Sequence, residues 1–138
     1  MLKKLITVLL AVVISFGMIG AVSASNISTF DISGHTKASS LIINNNKATC
    51  KSQYQSYNDD CSSITAVQTL EKRSWLVFWN TVGDKCTKTV TNTDALSFTN
   101  YKYNLDSGTY RVKTVFTVVL KDGRSESVTV YSSEEKVN

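Results

Sequence analysis

Cys50, Cys61 and Cys86 carry the most reactive side chains of this chain, and His35 is its lone histidine. A nucleophilic thiol needs a neighbouring base or cation to hold it as thiolate. His35, the one imidazole available, lies in a stretch rich in Ser, Gly and Thr, so no Cys–His nucleophile is expected. The cysteines are separated by 11 and 25 positions with no C-x-x-C, which matches no zinc module. Asn58-Asp59-Asp60 offers oxygen ligands, but calcium wants six to eight of them from an alternating acidic loop. That pattern is absent, and the segment reads as a solvated turn. Glu71, Glu126, Glu134 and Glu135 show no pairing of the kind glycosidases use. Nor is there a nucleophile elbow, a phosphate loop or a dinucleotide fingerprint. The expectation is a protein that is not an enzyme, with no metal and no cofactor.

The same cysteines are disulfide candidates, and three of them allow one bridge in three ways. Cys50–Cys61 closes the shortest loop, across Asn58-Asp59-Asp60, and such a loop contributes roughly 2–3 kcal/mol. Cys61–Cys86 joins more distant strands, and a leftover thiol is expected to be buried. The most unusual segment is Trp75-Leu76-Val77-Phe78-Trp79, five large apolar residues in a row. Read as a strand, it sends Trp75, Val77 and Trp79 to one face and Leu76 and Phe78 to the other. A sandwich buries one face of each strand, so one of these sets is left outside unless a loop such as Thr87–Asp94 covers it. Exposed contiguous aromatics mark binding surfaces. Indole faces also stack on sugar rings, and Tyr101 and Tyr103 extend such a platform. Trp75, Val77, Trp79, Tyr101 and Tyr103 are therefore the ligand-binding candidates.

What positions these residues begins with an address. Lys3 and Lys4 precede an apolar run from Leu5 to Ile19, and Val22-Ser23-Ala24 places small residues where a signal peptidase reads them. Residues 1–24 read as a signal peptide cleaved after Ala24. The apolar run, about 15 residues, is short for a hydrocarbon core of about 30 Å. Cleavage leaves residues 25–138 as one secreted, extracellular domain of 114 residues, with 13 basic and 11 acidic side chains. A net charge of +2 is no electrostatic footprint for nucleic acid. The first cysteine, Cys50, is far from the cleavage point, so no lipoprotein anchor is expected. The polar tail Ser132–Asn138 carries no hydrophobic segment, and without proline there is no sortase signal. No stable membrane anchor is expected after cleavage.

The secreted part reads in twos. Ser and Thr make up 31 of its 114 residues, a share that favours strands over helix. From Tyr110 to Leu120 the even-numbered residues Tyr110, Val112, Thr114, Phe116, Val118 and Leu120 share one face. Lys121-Asp122-Gly123 turns the chain into a second strand, Arg124–Ser132. A two-residue turn there would mix apolar and polar residues on both faces. A three-residue loop with Gly123 in the left-handed region pairs Phe116 with Val128 and Thr114 with Val130, and gathers Ser125, Ser127, Thr129 and Tyr131 outside. Further strands are read over Ala95–Tyr103, Ile64–Lys72, Ser74–Val82 across a Lys72-Arg73-Ser74 turn, Lys47–Tyr54, and either Leu41–Ile43 or Ile27–Ile32. About seven short strands without a helix predict an all-β domain, a small antiparallel sandwich or barrel.

Leu96-Ser97-Phe98-Thr99-Asn100-Tyr101, followed by Asp106-Ser107-Gly108-Thr109-Tyr110-Arg111-Val112, resembles a corner of immunoglobulin-like and fibronectin type III-like β-sandwiches. In those families an apolar strand leads to D-x-G/A-x-Y, and the tyrosine hydroxyl bonds back to the corner backbone. The resemblance implies a structural role for Asp106, Gly108 and Tyr110, with Val112 where antibody domains carry an inter-sheet cysteine. The span from Cys50 to Ser133 is also similar to a group of small secreted proteins of Gram-positive bacteria. The similarity rests on Thr69-Leu70-Glu71-Lys72, Trp75, Trp79, Gly108–Lys113, Ser125-Glu126-Ser127 and Tyr131-Ser132. It implies fold and export but no activity.

Taken together, these features lead to an expected non-catalytic, secreted interaction module, its partner a cell-envelope glycan or an extracellular protein, met through Trp75–Trp79. The alternatives are a toxin-like or bacteriocin-like antagonist of membranes and an enzyme inhibitor presenting the Cys50–Cys61 loop. The first is opposed by weak charge and the lack of an amphipathic basic helix.

Overall fold

The computed structural model describes residues 36–57 and 59–138. The signal-peptide segment, Ile27–Ile32, His35 and Asn58 lie outside the described residues. The described chain is all-β, an antiparallel sandwich of two sheets. Its nine strands are β1 (Thr36–Asn44), β2 (Lys47–Gln55), β3 (Cys61–Ser74), β4 (Phe78–Thr81), β5 (Cys86–Thr91), β6 (Ala95–Lys102), β7 (Gly108–Leu120), β8 (Ser125–Tyr131) and β9 (Glu135–Val137). One sheet is β1-β2-β6. In the other, β3 and β7 form the centre. β4 and β5 share the far edge of β3, while β8 and β9 share the far edge of β7. Nine strands thus fill seven positions.

Turn chemistry sets the ladders. Asn45 and Asn46, at φ 50° and 57°, make the two-residue turn that pairs Asn44 with Lys47, and asparagine tolerates that left-handed backbone. Gly123, at φ 89°, closes the three-residue β7–β8 loop, and Phe116 pairs with Val128 and Thr114 with Val130 as the face pattern requires. Ser125, Ser127, Thr129 and Tyr131 are all exposed.

Three expectations are corrected. β3 continues to Ser74 instead of turning at Lys72-Arg73-Ser74, and its partner β4 begins only at Phe78. Cys86–Thr91 is a strand, not part of a covering loop. Three of its six residues are Thr and Val90 is its one aliphatic residue, so no alternation betrays it, and pairing with the first half of β3 is what orders it. The polar tail contributes β9, whose Val137 is buried.

The interior has two apolar halves. Leu41, Ala48, Cys50, Leu70, Leu105, Tyr110, Val112 and Val137 form one. Tyr54, Cys61, Ile64, Ala66, Leu96, Phe116, Val118 and Leu120 form the other. A polar layer lies between them in sequence register on every central strand. Thr114 Oγ1 shares hydrogen bonds with Ser52 Oγ (2.8 Å) and Ser39 Oγ (3.0 Å), and Gln68 Nε2 donates to Ser52 Oγ (2.7 Å). Side chains from β1, β2, β3 and β7 therefore join the two sheets through hydroxyls.

The corner before β7 is tied by a tyrosine. Tyr110 is buried, and its hydroxyl donates to the Asp106 carbonyl at 2.7 Å. Gly108 has φ 151°, and a Cβ there would come within 2.5 Å of Lys72 Cε. Removing the hydroxyl in Tyr110→Phe should cost about 1 kcal/mol in urea unfolding. An unchanged midpoint would show that the bond contributes nothing.

Candidate interaction site

β3 and β4 form a hairpin with Glu71 paired to Thr81, Lys72 to Asn80, Arg73 to Trp79 and Ser74 to Phe78. Trp75, Leu76 and Val77 make its loop. The expectation that Trp75–Trp79 is a strand with two faces is thereby corrected, since the run folds over on itself at its first three residues. Trp75 is 86% exposed, Leu76 84%, Val77 70% and Phe78 64%. Members of both sets of the alternation therefore face outward, Trp79 excepted. The pairing of β3 with β7 ends at Lys72–Tyr110, so the loop stands beyond the last rung of the neighbouring strand.

The loop contradicts ordinary turn chemistry. It contains no Gly, Asn, Asp or Pro, and Trp75 sits in the left-handed region at φ 57°. That backbone costs a non-glycine residue roughly 1–2 kcal/mol. The left-handed positions of the β1–β2 and β7–β8 loops carry asparagine and glycine instead.

The base of the hairpin is packed against the domain. Trp79 is half-buried, with the Arg111 guanidinium 4.1 Å from its ring centroid and that of Arg73 5.0 Å away. Arg111 also covers Tyr131 at 4.2 Å, and its Nε donates to Glu71 Oε2 at 2.8 Å. Arg73 pairs with Glu134. This alternation of cations and rings spans four strands and holds Trp79 in the body of the domain. Sequence reasoning grouped Trp79 with the outward indoles and missed Arg73, Arg111, Glu71 and Tyr131. The signal was present in the β3–β7 register, which aligns Glu71 with Arg111, but that register is a tertiary fact.

Tyr101 and Tyr103 are exposed, the first on β6 and the second just after it, with ring centroids 6.5 Å apart. β6 belongs to the three-stranded sheet, and the structure groups both rings around Lys47, whose Nζ lies 4.3 Å and 5.3 Å from their centroids. Tyr103, but not Tyr101, lines a groove of about 330 Å³ with Lys72, Val82, Lys102, Asp106 and Tyr110.

All three cysteines are free thiols, Cys50 and Cys61 buried and Cys86 half-buried. Burial pushes the Cys50 thiol up to about 11, with Lys102 pulling it down and Cys86 pushing it up. Burial also raises Cys61. At the opposite end of the strands, Asp59 is held above the usual carboxylate range by its hydrogen bond with Asp94. Among the described residues no group of three His, Cys, Asp or Glu side chains is placed to hold a metal ion.

The raised Cys50 thiol has a consequence for stability. In the unfolded chain the thiol ionises from its ordinary value of 9.0, whereas the folded chain keeps its proton until about 11. Folding therefore binds a proton in that window, and stability should fall as pH rises through it, by about 2–3 kcal/mol across the two units. Below pH 9 this contribution is fully present. Urea unfolding at pH 8, 9, 10 and 11 should show a steeper loss in wild type than in Cys50→Ala; parallel profiles would refute the assignment.

No family model matches the chain, and no curated protein matches it either.

Proposed function

We propose that this chain is an exported, non-catalytic attachment module that seats the apolar hairpin tip Trp75-Leu76-Val77-Phe78 in the surface layer of a lipid bilayer. The observation that carries the reading is the loop itself: four consecutive large apolar side chains are exposed where a turn needs none of them. A left-handed tryptophan is retained at its start. Backbone strain that local turn chemistry does not require is a mark of functional positions.

Shape and charge select the partner. A sugar ring asks for a flat aromatic platform, whereas this tip is a narrow projection with its side chains splayed around a three-residue loop. Indoles favour the boundary between headgroups and acyl chains, and Leu, Val and Phe favour the layer beneath. From Lys72 to Gly83 the sequence has no carboxylate; Lys72 and Arg73 immediately precede the tip, and Arg73 shares its charge with Glu134. Cations at that depth suit anionic headgroups. Export is read from residues 1–24, where Lys3 and Lys4, an apolar run and Val22-Ser23-Ala24 follow the order of a signal peptide.

The test is co-sedimentation with vesicles of anionic and of neutral lipid, together with the tryptophan emission of the bound protein. Binding with a blue shift, stronger on anionic vesicles and lost in Leu76→Ser/Phe78→Ser, is expected. Wild type that stays in the supernatant with both lipids, or binds only to lipid-free envelope protein, would overturn the reading.

A further inference from the structure

The geometry points to an intramolecular disulfide between Cys50 and Cys86, with Cys61 left as a thiol. The inference does not rest on the attachment reading; it follows from where the strands place the three sulfurs. Cys61 bonds to the Ser56 side chain. Ser56 follows β2 directly, six residues beyond Cys50, and an extended strand rises about 3.3 Å per residue. Cys50 and Cys61 are thus separated by roughly 15 Å or more, and they sit in opposite halves of the core. The Cys50–Cys61 bridge that the shortest loop favours in sequence is excluded by this separation. Cys86 pairs with Gln68 on β3, seven residues along the strand from Cys61, a separation of about 20 Å. A disulfide tolerates Cα atoms up to about 7 Å apart.

Cys50 and Cys86 differ from both excluded pairs. Cys50 lies directly opposite Asn100 in the β2–β6 ladder, where facing side chains leave from the same side of the sheet about 5 Å apart. The Asn100 amide in turn donates to Cys86 Sγ at 2.5 Å. One small side chain therefore touches the Cys86 sulfur and faces Cys50, and rotation of that amide is the movement needed to let the sulfurs meet. The electrostatic effect of Cys86 on the Cys50 thiol is the other sign of their proximity. The bond would tie the first residue of β5, on the edge of one sheet, to the middle strand of the other.

The chemistry is thiol–disulfide exchange with a small disulfide such as oxidised glutathione. The half-buried Cys86 thiolate attacks one sulfur of the reagent, releases one glutathione thiolate and forms a mixed disulfide. The Cys50 sulfur, having lost its proton, then attacks Cys86 and releases the second glutathione. Two protein thiols are oxidised and one glutathione disulfide is reduced to two thiols.

Trypsin separates the three cysteines, since Lys47, Lys51, Lys85 and Lys88 bracket Ala48–Lys51 and Cys86–Lys88, and Cys61 falls in Ser52–Lys72. The folded chain is treated with oxidised glutathione, remaining thiols are alkylated, and the non-reduced digest is analysed by mass spectrometry. The expected product is Ala48–Lys51 joined to Cys86–Lys88, with Ser52–Lys72 alkylated. Cys61→Ala should retain that bridge and Cys86→Ser should lose it. A bridge to Ser52–Lys72 in wild type, or three fully alkylated thiols after oxidation, would overturn the inference; because wild type supplies the main readout, it does not depend on any variant folding.

Discussion

Replacing Leu76 and Phe78 together with serine should lower binding to anionic vesicles at least tenfold while moving the unfolding midpoint little. Both halves of that expectation come from exposure. Leu76 and Phe78 are mostly in solvent in the folded domain, so truncating them removes little packing, and such surface changes usually stay within about 0.5 kcal/mol. In a bilayer surface the same side chains lose contact with water. Fully burying a Leu or Phe is worth about 1.5–3 kcal/mol, and even half of that for the pair exceeds the 1.4 kcal/mol that makes a factor of ten. The measurement is the bound fraction across a lipid titration, paired with urea unfolding of the same preparations. A loss of binding accompanied by a loss of several kcal/mol in stability would show that the tip supports the fold and leave no case for a docking role.

Thr114→Val should be the most destabilising conservative change in the core, at about 2–3 kcal/mol. Valine matches threonine in shape, so no cavity forms. What goes is the hydroxyl that shares hydrogen bonds with both Ser39 and Ser52. Ser52 and Gln68 are fully enclosed, and a buried polar group that loses its partner pays its desolvation in full. For a domain near 100 residues this corresponds to a fall in Tm of roughly 10 °C or more. Replacing the layer as a whole, with Ser52→Ala, Gln68→Leu and Thr114→Val together, should recover much of the loss, because no fully enclosed partner is orphaned and Ser39, which also loses its bond, is only half-buried. A single variant costing under about 0.5 kcal/mol would show that the hydroxyls re-pair without Thr114.

The polar layer also explains why the two apolar halves do not merge. On β2 the inward sequence is Cys50, Ser52, Tyr54; on β3 it is Ala66, Gln68, Leu70; on β7 it is Val112, Thr114, Phe116. A slide of one sheet over the other by a strand step would set a hydroxyl or amide against an apolar neighbour. The layer thereby fixes how the sheets align, at the cost of apolar packing in the middle of the domain.

Much of this architecture was legible before any coordinates. Alternation from Tyr110 to Leu120, the Lys121-Asp122-Gly123 loop and its register follow from local rules, because a pleat has a period of two and only a left-handed glycine closes that loop with one greasy face. The Asp106–Tyr110 corner was likewise legible, its hydrogen bond spanning only four residues. The edge strands β5 and β9 were not, since strands with a single aliphatic residue are ordered by the ladder they join. The site divides in the same way. Residue types alone marked Trp75–Trp79 as unusual, but alternation treated it as a strand, and a period of two cannot see a turn made without turn residues. Tertiary structure decided that Trp79 is clasped by Arg73 and Arg111 while its four predecessors stand in solvent, and that Cys50 neighbours Cys86 rather than Cys61. Both outcomes depend on which strands lie side by side, and that pairing joins residues tens of positions apart in the chain.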